Sequence, residues 1–530
     1  MSSGSFTKHD PKEKASSMPE DGTKLSKKGI ILAPQPPVDA RDPLKNWSMR
    51  RKAKIVAVLF LALFAGFSAP FCRQLNLQQQ ATLYHKTTVQ ITYFNSAASG
   101  GLATGGYLWW PLSHKFGRSA VIFWTLFGVL AAQIWAPMMT GPNDYAPYLV
   151  SRYFASFFGV VVSILGPRYL VDMFFLHQRG RAFTILHLAL NFGASAGLTF
   201  AGFVAASSYW PVEYWWSVAL VAFTIIVVFL YLEETYYDRT DESANRIPPS
   251  SWLRDRFETF PGTKVVPPVT WGEVARGFVT PFKIAIAPVL LVIAGFDTIS
   301  FDFYVALNAL TPVWLQTPIA HGGVYVFTVA QNAAFTLLHW VGFLWVPSRP
   351  ACTDDDWHST LTRSKDRSHL RSLFQRSNPN PTNFVLMPLG LGLVGACMQY
   401  KLHWFVMALA QLFVTIGSLV SIPITVNYIC ECFRTHTVEA TLVLNSMRLF
   451  LRLSINFYIQ PWISAVGIGW VYGSMASFTV FAFCFLIFLM VWGHKIRSWS
   501  PFHTSQSEEG EHILKPGSHV SVGDALNKKI

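Results

Sequence analysis

Apolar residues along this chain come in runs of about twenty, the length an α-helix needs to cross a bilayer, and polar residues collect between the runs. Six runs occupy the first half, at 54–72, 90–113, 119–137, 146–171, 181–205 and 213–232, and six more follow at 284–307, 321–346, 382–399, 403–430, 436–463 and 467–495. The polar stretch between the two sets, 233–283, carries the proline pairs Pro248-Pro249 and Pro267-Pro268. This pattern predicts an all-α membrane protein with twelve transmembrane helices in two six-helix bundles, 54–232 and 284–495, joined by a cytoplasmic linker at 233–283. The run at 382–399 is short and interrupted by Pro388, which a span tolerates when its neighbours satisfy the freed backbone groups. Polar ends at 1–53 and 496–530 read as cytoplasmic tails, the first of them disordered, and the basic segment 347–381 reads as a cytoplasmic insertion.

Charge then fixes an orientation. Only 13% of the 530 residues are charged, against about 25% in a soluble domain. A formal net charge of +13 could point to nucleic acid, but the basic residues sit at the ends of apolar runs. With the N-terminus inside, 35 of the 42 Lys and Arg fall in the tails and inner loops, and only Arg73, Lys86 and Lys401 fall in outer loops. Cytoplasmic loops carry such an excess, so the reading is an integral multi-pass protein of the plasma membrane with both termini cytoplasmic. Lipid bilayer is then its medium, with no nucleic acid partner and a monomer as the expected state. The polar first fifty residues lack the apolar core of a signal peptide. Six scattered cysteines show no metal-ligand spacing, so neither a metal nor a cofactor is expected.

Candidate chemistry lies where lipid would forbid it, because an ionised side chain at mid-bilayer is costly and must face protein or water. The fourth run places Arg152, Ser156, Gly159, Ser163 and Gly166 three or four apart, on one helical face; the tenth does the same with Gln411, Thr415, Ser418 and Thr425. Such stripes either line a cavity or hydrogen-bond neighbouring helices. The seventh run holds Asp297 and Asp302, and matching depth suggests that Asp302 meets Arg152 across a central cavity. Asn445, Arg448, Arg452 and Asn456 mark the eleventh run. Its two guanidinium groups either bind an anionic substrate or are neutralised by a carboxylate such as Asp297 or Glu439. Asp297 is the first candidate for a proton site and His187 the second. Gly101-x-x-x-Gly105 and Gly193-x-x-x-Gly197 predict close helix packing. No P-loop or HExxH motif occurs and there is no nucleophile elbow, since the GxSxG string Gly193-Ala194-Ser195-Ala196-Gly197 lies inside an apolar run rather than at a strand-to-helix turn, so neither an enzyme nor an ATP-driven pump is expected.

Several segments carry a family likeness. Asp42-Pro43-Leu44-Lys45-Asn46-Trp47-Ser48 precedes the first run, Pro111-Leu112-Ser113-His114-Lys115-Phe116-Gly117-Arg118 follows the second, and Phe174-Phe175-Leu176-His177-Gln178-Arg179-Gly180 follows the fourth. Glu234-Thr235-Tyr236-Tyr237-Asp238-Arg239 ends the sixth. With Arg152 and Arg448, these resemble the major facilitator superfamily, in particular its fungal twelve-span drug:proton antiporter group, over about residues 40–500. The resemblance implies alternating access between two bundles around a midplane site, with an inner gate at His114, Lys115, Gly117 and Arg118. It also implies an acidic residue at position 114, where this chain has histidine. The group's antiporter glycine motif survives at Gly193, Gly197 and Gly202, while Leu198 and Ala201 replace its proline and one glycine. The expected function is secondary transport of a small-molecule substrate, namely export of a fungal metabolite or toxic compound in exchange for protons. Import of an organic cation or nutrient, a non-transporting receptor and a lipid-modifying enzyme are the alternatives.

Overall fold

A computed structural model describes residues 47–72, 77–237, 249–261, 266, 269–317, 323–345, 381–433 and 436–498. The basic segment 347–380, residues 1–46 and the C-terminal 499–530 lie outside the described residues. Twelve long helices dominate what is described: α1 Met49–Phe71, α2 Tyr93–Phe116, α3 Arg118–Trp135, α4 Tyr145–Met173, α5 Leu176–Ala205 and α6 Val212–Tyr231 in the first half. The second half holds α7 Pro288–Gln316, α8 Val329–Trp345, α9 Pro381–Gln399, α10 Trp404–Cys432, α11 Thr437–Val466 and α12 Ile468–Ser498. Seven of them, α1, α3 to α7 and α12, contain stretches long and apolar enough to cross a membrane by length and composition. Of the others, α2 is rich in glycine and α11 turns its polar residues toward protein.

Helices alternate in direction, so α1 starts and α2 ends at one face, here called proximal, and the opposite face is distal. Apolar side chains of the first six helices form one large core, which also takes in Leu442 and Leu449 of α11, and a smaller one that reaches Val313 of α7; the second six form two large cores and a small one at Phe296, Ala482 and Leu486. Small residues let backbones approach as their spacing predicts. A Cβ at Gly193 would stand 2.6 Å from the Phe64 carbonyl oxygen of α1, and one at Gly101 or Gly105 would collide with the Tyr153 or Phe157 carbonyl of α4.

Two seams join the halves. Along the α2–α11 seam Ser446 Oγ donates to the Ala103 carbonyl (3.1 Å) and Asn456 Nδ2 donates to Ser96 Oγ (3.0 Å). Along the α5–α8 seam the Thr199 and Thr336 hydroxyls lie 2.6 Å apart, with Phe192 edge-on to Trp340. Contacts therefore occur toward the proximal end, as at Gly106 against Leu442, and toward the distal end, as at Tyr93 against Phe457.

Boundaries depart from the hydropathy pattern in three main places, the first being the run expected from 321, whose helix α8 begins only at Val329 after a non-helical 323–328. Helix α7 continues past 307 to Gln316, because Asn308 and Thr311, which lower its hydropathy, turn into the second bundle and bond to Gln411. Among its described residues the stretch 233–283 carries two helices. Trp252–Thr259 is held under α3 and α6 by Phe260, whose carbonyl accepts from Trp124 Nε1 (2.9 Å). Burial lowers the affinity of the Arg256 guanidinium for its proton, partly offset by Glu233. Trp271–Ala285 begins with a capping box in which Thr270 and Glu273 satisfy each other's backbone N–H groups.

Candidate functional site

Helices α7 and α11 bring two carboxylates and two guanidinium groups into one column. Nearer the proximal face, Asp297 is 1% exposed and lies 3.7 Å from Arg448 Nη1, and its Oδ1 accepts from Thr425 Oγ1 of α10 at 3.1 Å. Arg448 also donates to Asn445 Oδ1 (2.7 Å) and sits 4.2 Å above the Phe301 ring. This couple is paired by charge and partly hydrogen-bonded: the anion has a cation and a hydroxyl, and the cation has an anion, an amide and an aromatic face, while Asp297 Oδ2 and Arg448 Nε and Nη1 make no hydrogen bond. Of the two fates open to Arg448 on sequence grounds, the structure shows neutralisation by Asp297. His187 of α5 lies within the electrostatic reach of Arg448.

About 7.5 Å farther along α7, at 1.5 Å per residue, the same chemistry is left open. Asp302 is fully buried, yet neither of its oxygens has a hydrogen-bond partner, and no cation lies within 4 Å among the described residues. Arg452 is the cation it feels electrostatically. The Arg452 guanidinium is placed 5.1 Å over Phe71 of α1, a ring from the other bundle. An isolated buried charge is expensive unless paired and hydrogen-bonded, so this couple is poised to take a partner.

The expected meeting of Arg152 and Asp302 does not occur. Arg152 is fully buried within the first bundle, where it donates to Gln133 Oε1 (3.2 Å from both Nη1 and Nη2) and to the carbonyls of Ala69 and Ala132 (3.3 Å each), and it faces the Tyr214 ring at 4.9 Å. Matching depth fixed nothing about azimuth: the side chain leaves α4 toward α3, α1 and α6 rather than toward α7. Ser156, one turn on, is buried against Gly101.

Above the open couple, toward the distal face, the α10 stripe joins a neutral network. Gln411 Nε2 donates to Asn308 Oδ1 (2.6 Å), Thr311 donates to Gln411 Oε1 (3.4 Å), and His339 Nδ1 lies 3.0 Å from Thr415 Oγ1. Asn308, Thr311 and His339 escaped the sequence reading. A signal existed for His339, because Asn332, Thr336 and His339 repeat on α8 the three-or-four spacing seen in α4 and α10.

At the proximal end of α2, Gly117 adopts φ +83°, a left-handed conformation that favours glycine, and this lets α3 start at once. Arg118 then pairs with Asp172 at the end of α4 and donates to Thr235 Oγ1 (3.2 Å), while Glu234 accepts from the Ser119 amide (2.9 Å). Lys115 Nζ sits 3.6 Å over the Trp271 ring, and His114 lies edge-on to Trp110. The acidic side chains at this end of the first bundle are thus Asp172, paired with Arg118, and Glu234, bonded to the Ser119 amide.

The sequence profile of the Major Facilitator Superfamily matches residues 64–349, more than half of the chain. The chain belongs to the major facilitator superfamily. Among its superfamily relatives is an uncharacterized transporter of Schizosaccharomyces pombe, 22% identical over 91% of this chain and 98% of its own length. The ascochitine biosynthesis cluster transporter of Didymella fabae is 22% identical over 91% of each chain. The fold of this chain is similar to that of the proton:xylose symporter XylE (TM-score 0.56, 12% identity, 84% of this chain and 97% of that one). The human organic anion transporter MFSD10 is also similar (TM-score 0.52, 14% identity, 82% and 99%). As a member of this superfamily the chain is an integral multi-pass membrane transporter for a small molecule.

Proposed function

We propose that this chain is a proton-coupled secondary transporter that exports a small organic molecule by alternating access, with Asp302 as its proton site. The observation that carries the reading is the contrast along α7. Asp302 can gain or lose a proton without breaking a hydrogen bond, whereas protonating Asp297 would strip Arg448 of its counter-charge. The proton role that sequence assigned to Asp297 therefore passes to Asp302. Arg452 acts as the cation that Asp302 meets when ionised; Gln411, Thr415 and His339 supply hydrogen bonds to a cargo held between the bundles; Arg152 and Ser156 shape the first-bundle wall.

Alternating access requires the α2–α11 and α5–α8 seams to part at one end at a time. Arg118, Asp172 and Glu234 keep the proximal ends of α2, α3, α4 and α6 moving as one body, with His114, Lys115 and Gly117 as the gate's surface. The excess of Lys and Arg on the proximal side supports cytoplasmic termini; the chain would act as a monomer in the plasma membrane. A relative named for a fungal biosynthetic cluster and a structural neighbour named as a proton symporter are in keeping with a metabolite cargo and a proton partner. The unpaired Asp302 carboxylate also favours a second reading, in which it receives a cationic cargo directly.

Flux in sealed vesicles with an imposed pH gradient, screened over candidate metabolites and organic cations, separates the two readings. Proton exchange predicts accumulation that follows the gradient. Accumulation of a cation that follows membrane potential and ignores the pH gradient supports the second reading instead.

A further inference from the structure

The helix Trp271–Ala285 does not stay outside the bundle. Its contacts step along α2 from Lys115, under Trp271 (3.6 Å), through Pro111, beside Gly277, to Tyr107, whose ring stacks 5.0 Å from Phe282. Eight residues of α2 correspond to about 12 Å of depth, so the helix descends from the proximal face alongside α2. It also packs on α11 and therefore covers the proximal part of the α2–α11 seam.

At 100° per residue its surface divides into three sectors. Val274, Pro281 and Ile284 are buried against the bundles. Trp271, Ala275, Phe278, Val279 and Phe282, continued by Ile286, form a contiguous apolar stripe, with Phe282 58% and Ile286 75% exposed. Arg276, Thr280 and Lys283 follow on the third side. An apolar stripe beside a basic one is the pattern of a helix at a bilayer boundary. Exposed apolar residues also occur on α7 and α11, as at Leu291 and Phe450.

We infer that Trp271–Ala285 is a lipid-embedded strap over the α2–α11 seam. Its apolar stripe lies among the acyl chains of the proximal leaflet, and Arg276 and Lys283 bind the phosphates of anionic phospholipid headgroups. The strap ties the two bundles together on one side, so the composition of that leaflet bears on how readily the seam parts. This inference assumes nothing about cargo or proton coupling.

A benzophenone amino acid placed at Val279, or at Thr280 on the polar side, tests it in the full chain reconstituted in phosphatidylcholine vesicles with and without phosphatidylserine. Mass spectrometry of the photoproducts should show lipid adducts from Val279 and few from Thr280. With Arg276→Gln and Lys283→Gln, the ratio of phosphatidylserine to phosphatidylcholine adducts should fall about fivefold for each charge removed. Equal lipid yields from the two positions, adducts to a second polypeptide from Val279, or a headgroup ratio untouched by the glutamines would overturn the inference. Both labelled proteins are checked for monodispersity before illumination, so misfolding is not mistaken for either result.

Discussion

Two acid–arginine couples, built from the same residue types on the same two helices, end in opposite conditions. Asp297 and Arg448 are joined and each is further bonded, to Thr425 and to Asn445. Asp302 and Arg452 influence each other only through space, with the carboxylate unbonded and the guanidinium resting on Phe71 of the opposite bundle. The difference teaches how one helix pair divides its labour. A couple in ion-pair contact within its own bundle fastens α7, α10 and α11 together; a couple without that contact, where a side chain of the other bundle intrudes, remains free to change its charge or its partner. Buried ion pairs contribute little net stability but are costly to break by removing one member, which suits the first couple to architecture and the second to exchange.

The comparison breaks most visibly if Asp297 is dispensable. Asp297→Ala leaves the Arg448 guanidinium buried without its counter-charge and should lower stability by about 3–5 kcal/mol, read as the unfolding midpoint in detergent. A loss no larger than that from Asp302→Ala would erase the distinction. Thr425→Val removes only the hydroxyl that donates to Asp297 and should lower stability by about 1 kcal/mol in the same assay; no change would mean that the pair needs no third member. Phe71→Leu keeps an apolar side chain but withdraws the ring beneath Arg452, a contact worth about 0.5–1 kcal/mol. Its stability effect should be the smallest, and its effect on transport should exceed that of Thr425→Val.

Hydropathy made the spans legible because crossing a bilayer demands long apolar runs whatever the fold. It failed where a helix is only partly apolar. Trp271–Ala285 has a three-way surface that averages to a modest hydropathy, and α7 beyond 307 hides Asn308 and Thr311 inside the second bundle. Charges within spans were visible as exceptions, so Asp297, Asp302, Arg448 and Arg452 could be named, and the tie between Asp297 and Arg448 follows from their being opposite charges that must be neutralised. Partners that depend on azimuth were not visible: Arg152 turned to Gln133 and two carbonyls rather than to Asp302. The lock at the proximal face needed Asp172 and Glu234, residues far apart in sequence that only the packing of α4 and α6 brings to Arg118.

The central claim is that Asp302, not Asp297, links charge to movement. Its most direct test compares gradient-driven transport with simple exchange of a confirmed substrate in vesicles carrying Asp302→Asn. The account predicts that accumulation driven by a pH gradient is lost while exchange of labelled for unlabelled substrate persists. Gradient-driven accumulation equal to that of the unaltered protein would contradict it.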